Sequence, residues 1–381
     1  MRIDVWHNVI WSRYKGRVFS ALHRLASSEG EDVRFVQMAE TEGARIALGS
    51  IDLSYHSYPY ELLYKGSIEN VSKLRSMPYF FWRALTTKAD LVVIAGFSHA
   101  QDWAQLAGLM LRRTPRAVFC DSTAADRTPS LPKYLAKRFF FRRCHVVLCY
   151  GQRSRDYVLH HGVEPDRVMT RCQAAALPDD YRVDDVPALR AARRSADPRL
   201  LYTGRLSPEK NLSTLLAAFA RYVGTRPNAR LRLVGDGPSR KSLEEEAARL
   251  QIADKVVFTG GIDQRALADE YLSATCLVLP STSEPWGLVV NEALSYGCPV
   301  IVSSACGCTP ELVDARKTGF VFDPDSVDEL YDRLVRIEAE FADPDVFVPS
   351  CLELISSYSP EAAASQILHA ARVAYQRATA R

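Results

Sequence analysis

Short apolar runs alternate with amphipathic stretches along the whole chain of 381 residues. In the first half, runs rich in β-branched and aliphatic residues predict strands, and the longer stretches between them predict helices. The predicted helices include Ala100–Arg112 and Pro132–Arg143. The predicted strands are Ile3–Val9, Val33–Gln37, Leu91–Ile94, Ala117–Cys120 and Val146–Cys149. This alternation is typical of parallel α/β sheets.

The second half repeats the same rhythm after a polar segment, Asp179–Pro198, that is rich in Asp, Arg and Pro and is predicted to be a linker. Helices are predicted near 211–223, 239–251, 263–274 and 287–296. The predicted strands are Leu200–Thr203, Arg230–Val234, Val256–Thr259, Cys276–Pro280 and Val300–Ser303. The pattern predicts two doubly wound, Rossmann-like α/β domains at residues 1–185 and 186–358, with ligands at the carboxyl ends of the strands. Ser359-Pro360 is predicted to begin a last helix that covers residues 359–381.

Composition indicates a cytoplasmic globular protein. Hydrophobic residues make up 47% and charged residues 24%, and no apolar run reaches the roughly 18 residues that cross a bilayer. The first residues do not read as a signal peptide. The nine cysteines, an odd number, favour reduced thiols. The closest pair, Cys306-Gly307-Cys308, lacks ligands at zinc spacing, so no metal site is predicted.

Positive charge is concentrated in the first half. Residues 1–185 contain 26 Lys and Arg against 20 Asp and Glu, whereas the remainder contains 22 against 25. Residues 131–155 contain seven basic and no acidic residues, interleaved with Phe139, Phe140 and Phe141, and Tyr79–Arg83 is a second aromatic and basic cluster. Such a stretch is as typical of a core-packed helix with a solvated basic edge as of a helix on an anionic membrane. The modest overall charge argues against nucleic-acid binding.

The loop after the predicted strand Leu200–Thr203 carries candidate phosphate ligands. It begins Gly204-Arg205 and reaches Lys210, and the next strand ends in Gly235. A glycine at a strand end permits close approach of a ligand, and both cations follow the carboxyl end of a strand, where they can neutralise a diphosphate. Solvated loop cations explain Arg205 and Lys210 equally well, and a simple turn before a helix explains most of the Gly235 motif.

A stronger constellation follows the strand that ends at Pro280. Gly287 allows the chain to turn into a helix, which leaves the first amides, those of residues 287–289, free for a phosphate. Glu292 lies about one and a half turns into this helix, where a carboxylate can accept hydrogen bonds from ribose hydroxyls. Glu284 precedes the helix and can reach hydroxyls of a sugar. The alternative, two glutamates on an exposed helix face, fits poorly with the apolar residues between them.

These motifs together resemble those of the retaining family-four glycosyltransferases. The shared features are Gly204-Arg-Leu-Ser-Pro-Glu-Lys210-Asn, Val234-Gly-Asp-Gly-Pro, Phe258-Thr-Gly, and Glu284 followed by Glu292 with seven residues between. The resemblance covers residues 199–325 closely. It implies the glycosyltransferase B architecture, with two facing Rossmann-like domains and a last helix that returns to the first domain. It also implies metal-independent transfer with retention of configuration.

The resemblance assigns roles residue by residue. Arg205, Lys210 and Glu284 would act in catalysis, the two cations on the diphosphate and Glu284 on the donor sugar. The other implied donor-binding residues of the second domain are Gly204, Gly235, Thr259, Ile262, Gly287, Leu288, Val289 and Glu292.

The first domain matches less well. The family's glycine-rich loop corresponds to Trp11–Arg17, in which Gly16 is the one glycine and is assigned to donor binding. Asp121 stands near the place of the family's usual histidine, and His99 follows another strand; both are assigned to the acceptor or the donor sugar.

The sequence therefore predicts a hexosyltransferase that uses a UDP- or GDP-type sugar nucleotide and no cofactor. The acceptor is predicted to be lipid-linked or a saccharide, in surface polysaccharide biosynthesis, with the enzyme cytoplasmic or peripheral on the inner face of the plasma membrane. The alternatives are a small-molecule acceptor, a nucleotide-sugar epimerase and a non-catalytic nucleotide-sugar-binding module.

Overall fold

The computed structural model describes residues 1–43, 51–124, 130–193, 195 and 197–380. These residues divide into two compact units, Met1–Ala176 with Tyr358–Arg381, and Leu177–Ser357. The first division falls nine residues before the predicted boundary. Tyr181 explains why, because its hydroxyl donates to the carbonyl of Ser295 at 2.6 Å within the second unit.

The first unit is built on a seven-stranded parallel sheet. Its strands, in the spatial order β3-β2-β1-β4-β5-β6-β7, are β1 (Arg2–Val9), β2 (Asp32–Ala39), β3 (Tyr60–Leu62), β4 (Leu91–Ile94), β5 (Arg116–Cys120), β6 (Val146–Cys149) and β7 (Val168–Met169). Its helices are α1 (Arg13–Ser28), α2 (Lys73–Thr86), α3 (Ala100–Arg112), α4 (Leu131–Arg142) and α5 (Gln152–His160). The central strands are buried along their length, as their uninterrupted apolar sequence requires.

The second unit is built on a six-stranded parallel sheet. Its strands, in the spatial order β10-β9-β8-β11-β12-β13, are β8 (Arg199–Thr203), β9 (Arg230–Val234), β10 (Val256–Gly260), β11 (Cys276–Leu279), β12 (Val300–Ser303) and β13 (Gly319–Phe322). Its helices are α6 (Val186–Arg193), α7 (Leu212–Thr225), α8 (Arg240–Arg249), α9 (Gln264–Ser273), α10 (Leu288–Ser295), α11 (Thr309–Leu312), α12 (Val327–Glu340) and α13 (Pro344–Ser356). The strand order reverses between β8 and β11, which is where ligands bind in such sheets.

The last helix, α14 (Pro360–Thr379), belongs to the first unit, as predicted. Ser359 caps it by accepting a hydrogen bond from the amide of Ala362 at 3.1 Å. Arg372 holds the helix to the segment between α1 and β2 through ion pairs with Glu29 and, at 3.0 Å, with Glu31. The predicted α/β class with two Rossmann-like units is thus confirmed.

The predicted linker is wrong in part, because much of it is ordered structure of the second unit. A single 3-10 turn, Val183–Asp185, leads into α6. Arg190 of α6 is buried and donates to the carbonyls of Tyr271 at 2.8 Å and Ala274 at 2.7 Å. A guanidinium among the last carbonyls of α9 is favourable for the helix dipole, and it anchors the segment to this unit.

The basic stretch in the first unit differs from its prediction in one respect. Phe140 and Phe141 are fully buried and pack with Phe97 in the core, so they cannot touch a membrane. Phe139 remains 45% exposed. In the second aromatic cluster Trp82 is 64% exposed. None of the helices in the described residues has the length and the apolar character needed to cross a bilayer.

Candidate active site

The loops after β8 and β9 touch through their backbones at the carboxyl edge of the second sheet. The amide of Gly204 donates to the carbonyl of Val234 at 2.9 Å, and that of Leu206 donates to the carbonyl of Asp236 at 3.0 Å. Gly235 has φ of 128°, and a Cβ there would lie 2.0 Å from the carbonyl oxygen of Gly204. Only glycine fits. Gly235, predicted to bind the donor, therefore has a demonstrable packing role, which positions Gly204 and Arg205.

Lys210 and Glu284 form an ion pair that joins the loops after β8 and β11. Lys210 Nζ lies 2.5 Å from Glu284 Oε2, and only 12% and 18% of their side chains are exposed. A short, charge-assisted contact of this kind is among the stronger polar interactions. The two predicted catalytic residues are thus brought together at the point where the strand order reverses.

The backbone next to this pair is fixed by further polar contacts. The amide of Thr282 donates to the carbonyl of Glu209 at 2.9 Å, which ties the two loops directly. Asn211 has φ of 54°, and its side-chain amide donates to the carbonyls of Pro280 at 3.2 Å and Pro324 at 2.8 Å. One side chain thus links the ends of three strands. Asn211 is not predicted from the sequence as a site residue, although an asparagine directly before a helix is a recognisable candidate for the left-handed conformation it adopts.

Arg205 is more loosely held than Lys210. Its side chain is 44% exposed and lies 3.5 Å from Glu209. An exposed pair at this distance contributes little, about 0–1 kcal/mol. The guanidinium can therefore leave Glu209 for an anionic ligand at small cost.

Gly287 is the N-cap of α10 and lies beside Glu284 of the ion pair. Gly287 has φ of 102°, and a Cβ there would lie 2.9 Å from a methyl carbon of Leu279. The first amides of a helix have no partner within the helix, so those of residues 287–289 are suited to a phosphate. Leu288 and Val289 are both half-buried.

Glu292 is held by a residue that the sequence analysis missed. The hydroxyl of Tyr271, at the end of α9, donates to Glu292 Oε2 at 2.8 Å. Burial, and secondarily the negative charge of Glu292, raises the pKa of Tyr271 well above its usual value, so this phenol stays a donor. Its ring stacks on that of Tyr296 with 5.6 Å between the centroids. Glu292 is half-buried at a fixed position one and a half turns into α10.

The two cysteines of the Cys306–Cys308 loop have a structural role. The amide of Gly307 donates to the carbonyl of Glu284 at 2.8 Å, and the amide of Cys308 donates to that of Trp286 at 3.0 Å. A Cβ on Gly307 would lie 1.8 Å from the carbonyl oxygen of Pro285. The Cys306–Cys308 loop therefore packs closely against the backbone of the segment that carries Glu284. Burial raises the pKa of the Cys308 thiol well above its usual value. Within the described ranges, no group of three or more His, Cys, Asp or Glu is arranged to hold a metal ion.

Thr259 and Ile262, predicted to contact the base, lie at the end of β10. Thr259 is half-buried and its hydroxyl donates to the carbonyl of Gly260 at 2.9 Å. Ile262 is also half-buried. They lie two strands from β8 on the same carboxyl edge.

The remaining predicted residues lie in the first unit. Gly16 is within α1 rather than in a loop; its amide donates to the carbonyl of Ser12 at 3.0 Å, and a Cβ there would lie 2.8 Å from the carbonyl oxygen of Tyr55. His99 caps α3, and its amide donates to Asp102 at 3.0 Å. Asp121 is exposed directly after β5. Their roles in binding stay predictions.

The family described as "Glycosyl transferases group 1" matches residues 189–344. The alpha-monoglucosyldiacylglycerol synthase of Streptococcus pneumoniae is 33% identical over 178 residues, which are 45% of this chain and 40% of that protein. The chain thus matches less than half of this relative's length.

Solved structures match almost the whole chain at lower identity. The lipopolysaccharide outer core galactosyltransferase WaaB has a TM-score of 0.72 at 16% identity and covers 97% of this chain and 99% of its own. Anabaena Alr3699/HepE, in complex with UDP and glucose, has a TM-score of 0.69 at 18% identity and covers 97% and 98%. Residues 189–344 are therefore a glycosyl transferases group 1 domain, and the chain has the fold of the glycosyltransferase B architecture that its motifs resemble.

Proposed function

We propose that this protein is a retaining, metal-independent hexosyltransferase whose donor is a UDP- or GDP-sugar. The observation that carries the proposal is the cluster at the reversal of the second sheet, where the Lys210–Glu284 pair lies beside the start of α10 and Glu292 is oriented by Tyr271. The solved complex of a similarly folded protein with UDP and glucose supports a sugar nucleotide as donor.

In this proposal the donor displaces contacts that the residues now make with one another. Arg205 leaves Glu209, Lys210 moves from Glu284 towards the diphosphate, and the amides of α10 bind its oxygens. Glu284, released from Lys210, accepts hydrogen bonds from the donor sugar, and Glu292 accepts them from the ribose.

Catalysis follows from where charge develops. Cleavage of the bond between the anomeric carbon and the diphosphate builds negative charge on the leaving group. In the donor complex this charge develops next to Arg205 and Lys210, which have by then left their carboxylate partners, and next to the N-terminus of α10. Such preorganised charge is the largest contribution in many enzymes. In the retaining route a donor phosphate oxygen takes the proton of the acceptor hydroxyl, which attacks from the same face.

The acceptor is proposed to be a lipid-linked glycan or a saccharide in surface polysaccharide synthesis, reached at the inner face of the plasma membrane. This class of acceptor is supported by two of the similar proteins. One is named as an alpha-monoglucosyldiacylglycerol synthase, and the other as a lipopolysaccharide outer core galactosyltransferase. Exposed Leu131, Leu135 and Phe139 recur every fourth residue along α4, and exposed Arg142 lies on the same face of the helix, which supports contact with an anionic surface.

The decisive experiment combines binding with turnover. Calorimetry with UDP and GDP, followed by a hydrolysis assay on a panel of their hexose derivatives, should show tight binding of one nucleotide and slow release of its sugar as the α-anomer. Release of a C2-epimerised sugar nucleotide would instead identify an epimerase, and binding without any turnover of the panel would identify a binding module.

A further inference from the structure

Asn211 directly follows Lys210 and turns the chain from the loop after β8 into α7. Its φ of 54° lies in the left-handed region, which asparagine adopts more readily than most residues. The residue is half-buried at the carboxyl edge of the second sheet, where the strand order reverses. The turn before α7 therefore places Asn211 next to the cation that the proposed function assigns to the diphosphate.

The side-chain amide of Asn211 is held at both of its polar atoms. Its Nδ2 donates to the carbonyls of Pro280 at 3.2 Å and Pro324 at 2.8 Å, and its Oδ1 accepts from the hydroxyl of Thr214 at 2.9 Å. Carbonyl oxygens only accept, so these neighbours determine which end of the amide faces them. The three partners together thus require a group that both donates and accepts.

The backbone of Lys210 is held on both sides. On one side is Asn211, and on the other the carbonyl of Glu209 accepts from the amide of Thr282 at 2.9 Å, two residues before Glu284. The side chain of Lys210 is a flexible four-carbon stem of which only 12% is exposed. Because the stem is enclosed, the position of the backbone decides where the ammonium can reach.

The anchor at Asn211 matters most once a donor is bound. In the proposed donor complex Lys210 leaves Glu284, so this carboxylate no longer holds the ammonium in place. The first amides of α10, which bind the same diphosphate, belong to a packed helix and cannot follow a displaced lysine. Hydrogen bonds weaken steeply when their distance or angle is wrong, and a small misplacement of a binding group is costly.

We propose that Asn211 is a positioning residue of the donor site. By tying the loop after β8 to the ends of β11 and β13, it sets the point from which Lys210 reaches the diphosphate. Asn211 itself does not touch the donor in this inference, and it acts only through Lys210. The inference rests on the proposed function, because it requires Lys210 to be a ligand of the diphosphate.

The test measures how much the phosphates add to the affinity for a nucleotide. Calorimetry gives the Kd of UDP or GDP, whichever wild type prefers. Saturation-transfer NMR gives the Kd of the corresponding nucleoside, which keeps the base and the ribose but lacks both phosphates. Asn211→Gly retains the left-handed backbone and removes the three hydrogen bonds. It should weaken binding of the diphosphate about three- to tenfold and change that of the nucleoside by less than about twofold, as expected when hydrogen bonds of ordinary strength are lost on the phosphate side alone.

A double-mutant cycle distinguishes positioning from a merely structural role. Lys210→Met alone should weaken binding of the diphosphate about tenfold or more, because it removes a hydrogen bond from a charged group. In this background Asn211→Gly should have no further effect, since the group that it positions is gone. An equal loss with and without Lys210 would overturn the inference, and so would an unchanged diphosphate affinity in Asn211→Gly.

Gln251→Gly is the matched control. Gln251 is exposed between α8 and β10, at the opposite edge of the sheet, and its φ of 59° is also left-handed. The substitution gives the same backbone relief far from Lys210 and should leave both affinities unchanged. Thr214→Val is a milder second variant, which removes only the hydroxyl bound by Asn211 and should weaken binding of the diphosphate about twofold. If Asn211→Gly does not fold, this variant carries the test, and an unchanged diphosphate affinity in it would overturn the inference.

The same measurements separate this inference from the function on which it rests. If Lys210→Met binds the diphosphate weakly while Asn211→Gly binds it as wild type does, the positioning role is wrong and the proposed donor site stands. If Lys210→Met binds the diphosphate as wild type does, or if wild type binds neither nucleotide, the proposed donor site itself is wrong and the positioning role falls with it.

Discussion

Single side chains in the second unit are held in place before any ligand arrives. Glu292 is the clearest case, because the buried phenol of Tyr271 fixes one carboxylate oxygen and leaves the charge half-buried. A ribose hydroxyl that reaches this carboxylate meets an acceptor that has little freedom left to lose.

Glu292→Ala should therefore weaken nucleotide binding. The loss of a hydrogen bond to a charged acceptor corresponds to about 1.5–3 kcal/mol, or roughly 10- to 150-fold in Kd. Calorimetry with the nucleotide that wild type prefers measures it. Glu245→Ala, at an exposed position of α8, is the matched control and should bind as wild type does. Equal affinities in all three proteins would remove Glu292 from the site.

A second residue gives the first unit a pH-dependent stability. Asp102 is fully buried in the first turn of α3, and burial raises its pKa from 3.8 to about 6. A raised carboxyl pKa means that the folded chain binds the proton more tightly than the unfolded chain. The stability is therefore greatest below the unfolded pKa and is lost as pH rises through about 6.

Asp102→Asn should remove this dependence, since the amide stays neutral and its side-chain oxygen can still accept from the amide of His99. Urea unfolding between pH 4 and 7.5 measures the difference between the two proteins. Relative to wild type, the variant should gain up to about 3 kcal/mol across this range, at 1.36 kcal/mol per pH unit between the two pKa values. If the free energy of unfolding of the two proteins differed by the same amount at all pH values, the raised pKa would not belong to Asp102.

At the scale of elements, the sequence predicted more of the strands and helices than of the contacts between their ends. β4 was predicted with its observed bounds, and α10 within one residue at each end, because buried apolar runs and glycine before a helix are local signals. The roles of Asn211 and Tyr271 were not predicted, because their partners Pro280 and Glu292 lie 69 and 21 residues away in sequence and only the fold brings them together.

The wrong predictions for the α4 phenylalanines and for the linker have the same physical cause. Phe140 and Phe141 differ from Phe139 only in the direction that a helix gives them, and which face packs on the sheet is decided by the tertiary structure. The composition of Asp179–Pro198, rich in Asp, Arg and Pro, suggested a linker because the buried cation that anchors the segment, Arg190, gains its partners from the end of α9 only in the folded chain.

The start of α10 provides a prediction about an element. Gly287→Ala puts a Cβ into the left-handed region and against Leu279, so unfolding in urea should show a loss of roughly 1–2 kcal/mol or more, together with weaker nucleotide binding. Gly224→Ala is the control, because this glycine lies within α7 and a Cβ there meets nothing within 4 Å. It should be neutral or slightly stabilising, by up to about 1 kcal/mol, with unchanged binding. Unperturbed stability and binding in Gly287→Ala would show that the geometry at this turn is not required.

At the scale of the whole molecule, the proposed chemistry makes a prediction about metal ions. Arg205, Lys210 and the start of α10 supply the positive charge that a divalent ion would otherwise provide to the diphosphate. Turnover of the preferred sugar nucleotide should therefore be unchanged in excess EDTA. Activity that is lost in EDTA and restored by magnesium or manganese would contradict the metal-independent mechanism and leave the fold and the donor class untouched.

The charge asymmetry of the whole chain makes the last prediction, which concerns anionic membranes. On α4 the apolar side chains of Leu131, Leu135 and Phe139 are 69%, 53% and 45% exposed, and Lys133, Arg142 and Arg143 are exposed on the same helix or directly after it. Each cation near an anionic surface contributes about 1 kcal/mol, and salt screens the attraction. The protein should therefore co-sediment with phosphatidylserine-containing liposomes at low salt, detach at high salt, and ignore neutral liposomes.

The triple variant Lys133→Glu, Arg142→Glu, Arg143→Glu should abolish this sedimentation yet bind nucleotide as wild type does, since the proposed donor site belongs to the other unit. Lys241→Glu, Arg249→Glu, Lys317→Glu is the matched control, because it makes the same change in net charge at exposed positions of the second unit. The control should still sediment. If both triple variants detach equally, net charge rather than α4 governs binding; if wild type does not bind anionic liposomes at low salt, α4 is a solvated face and the case for a lipid-linked acceptor loses its support from this surface.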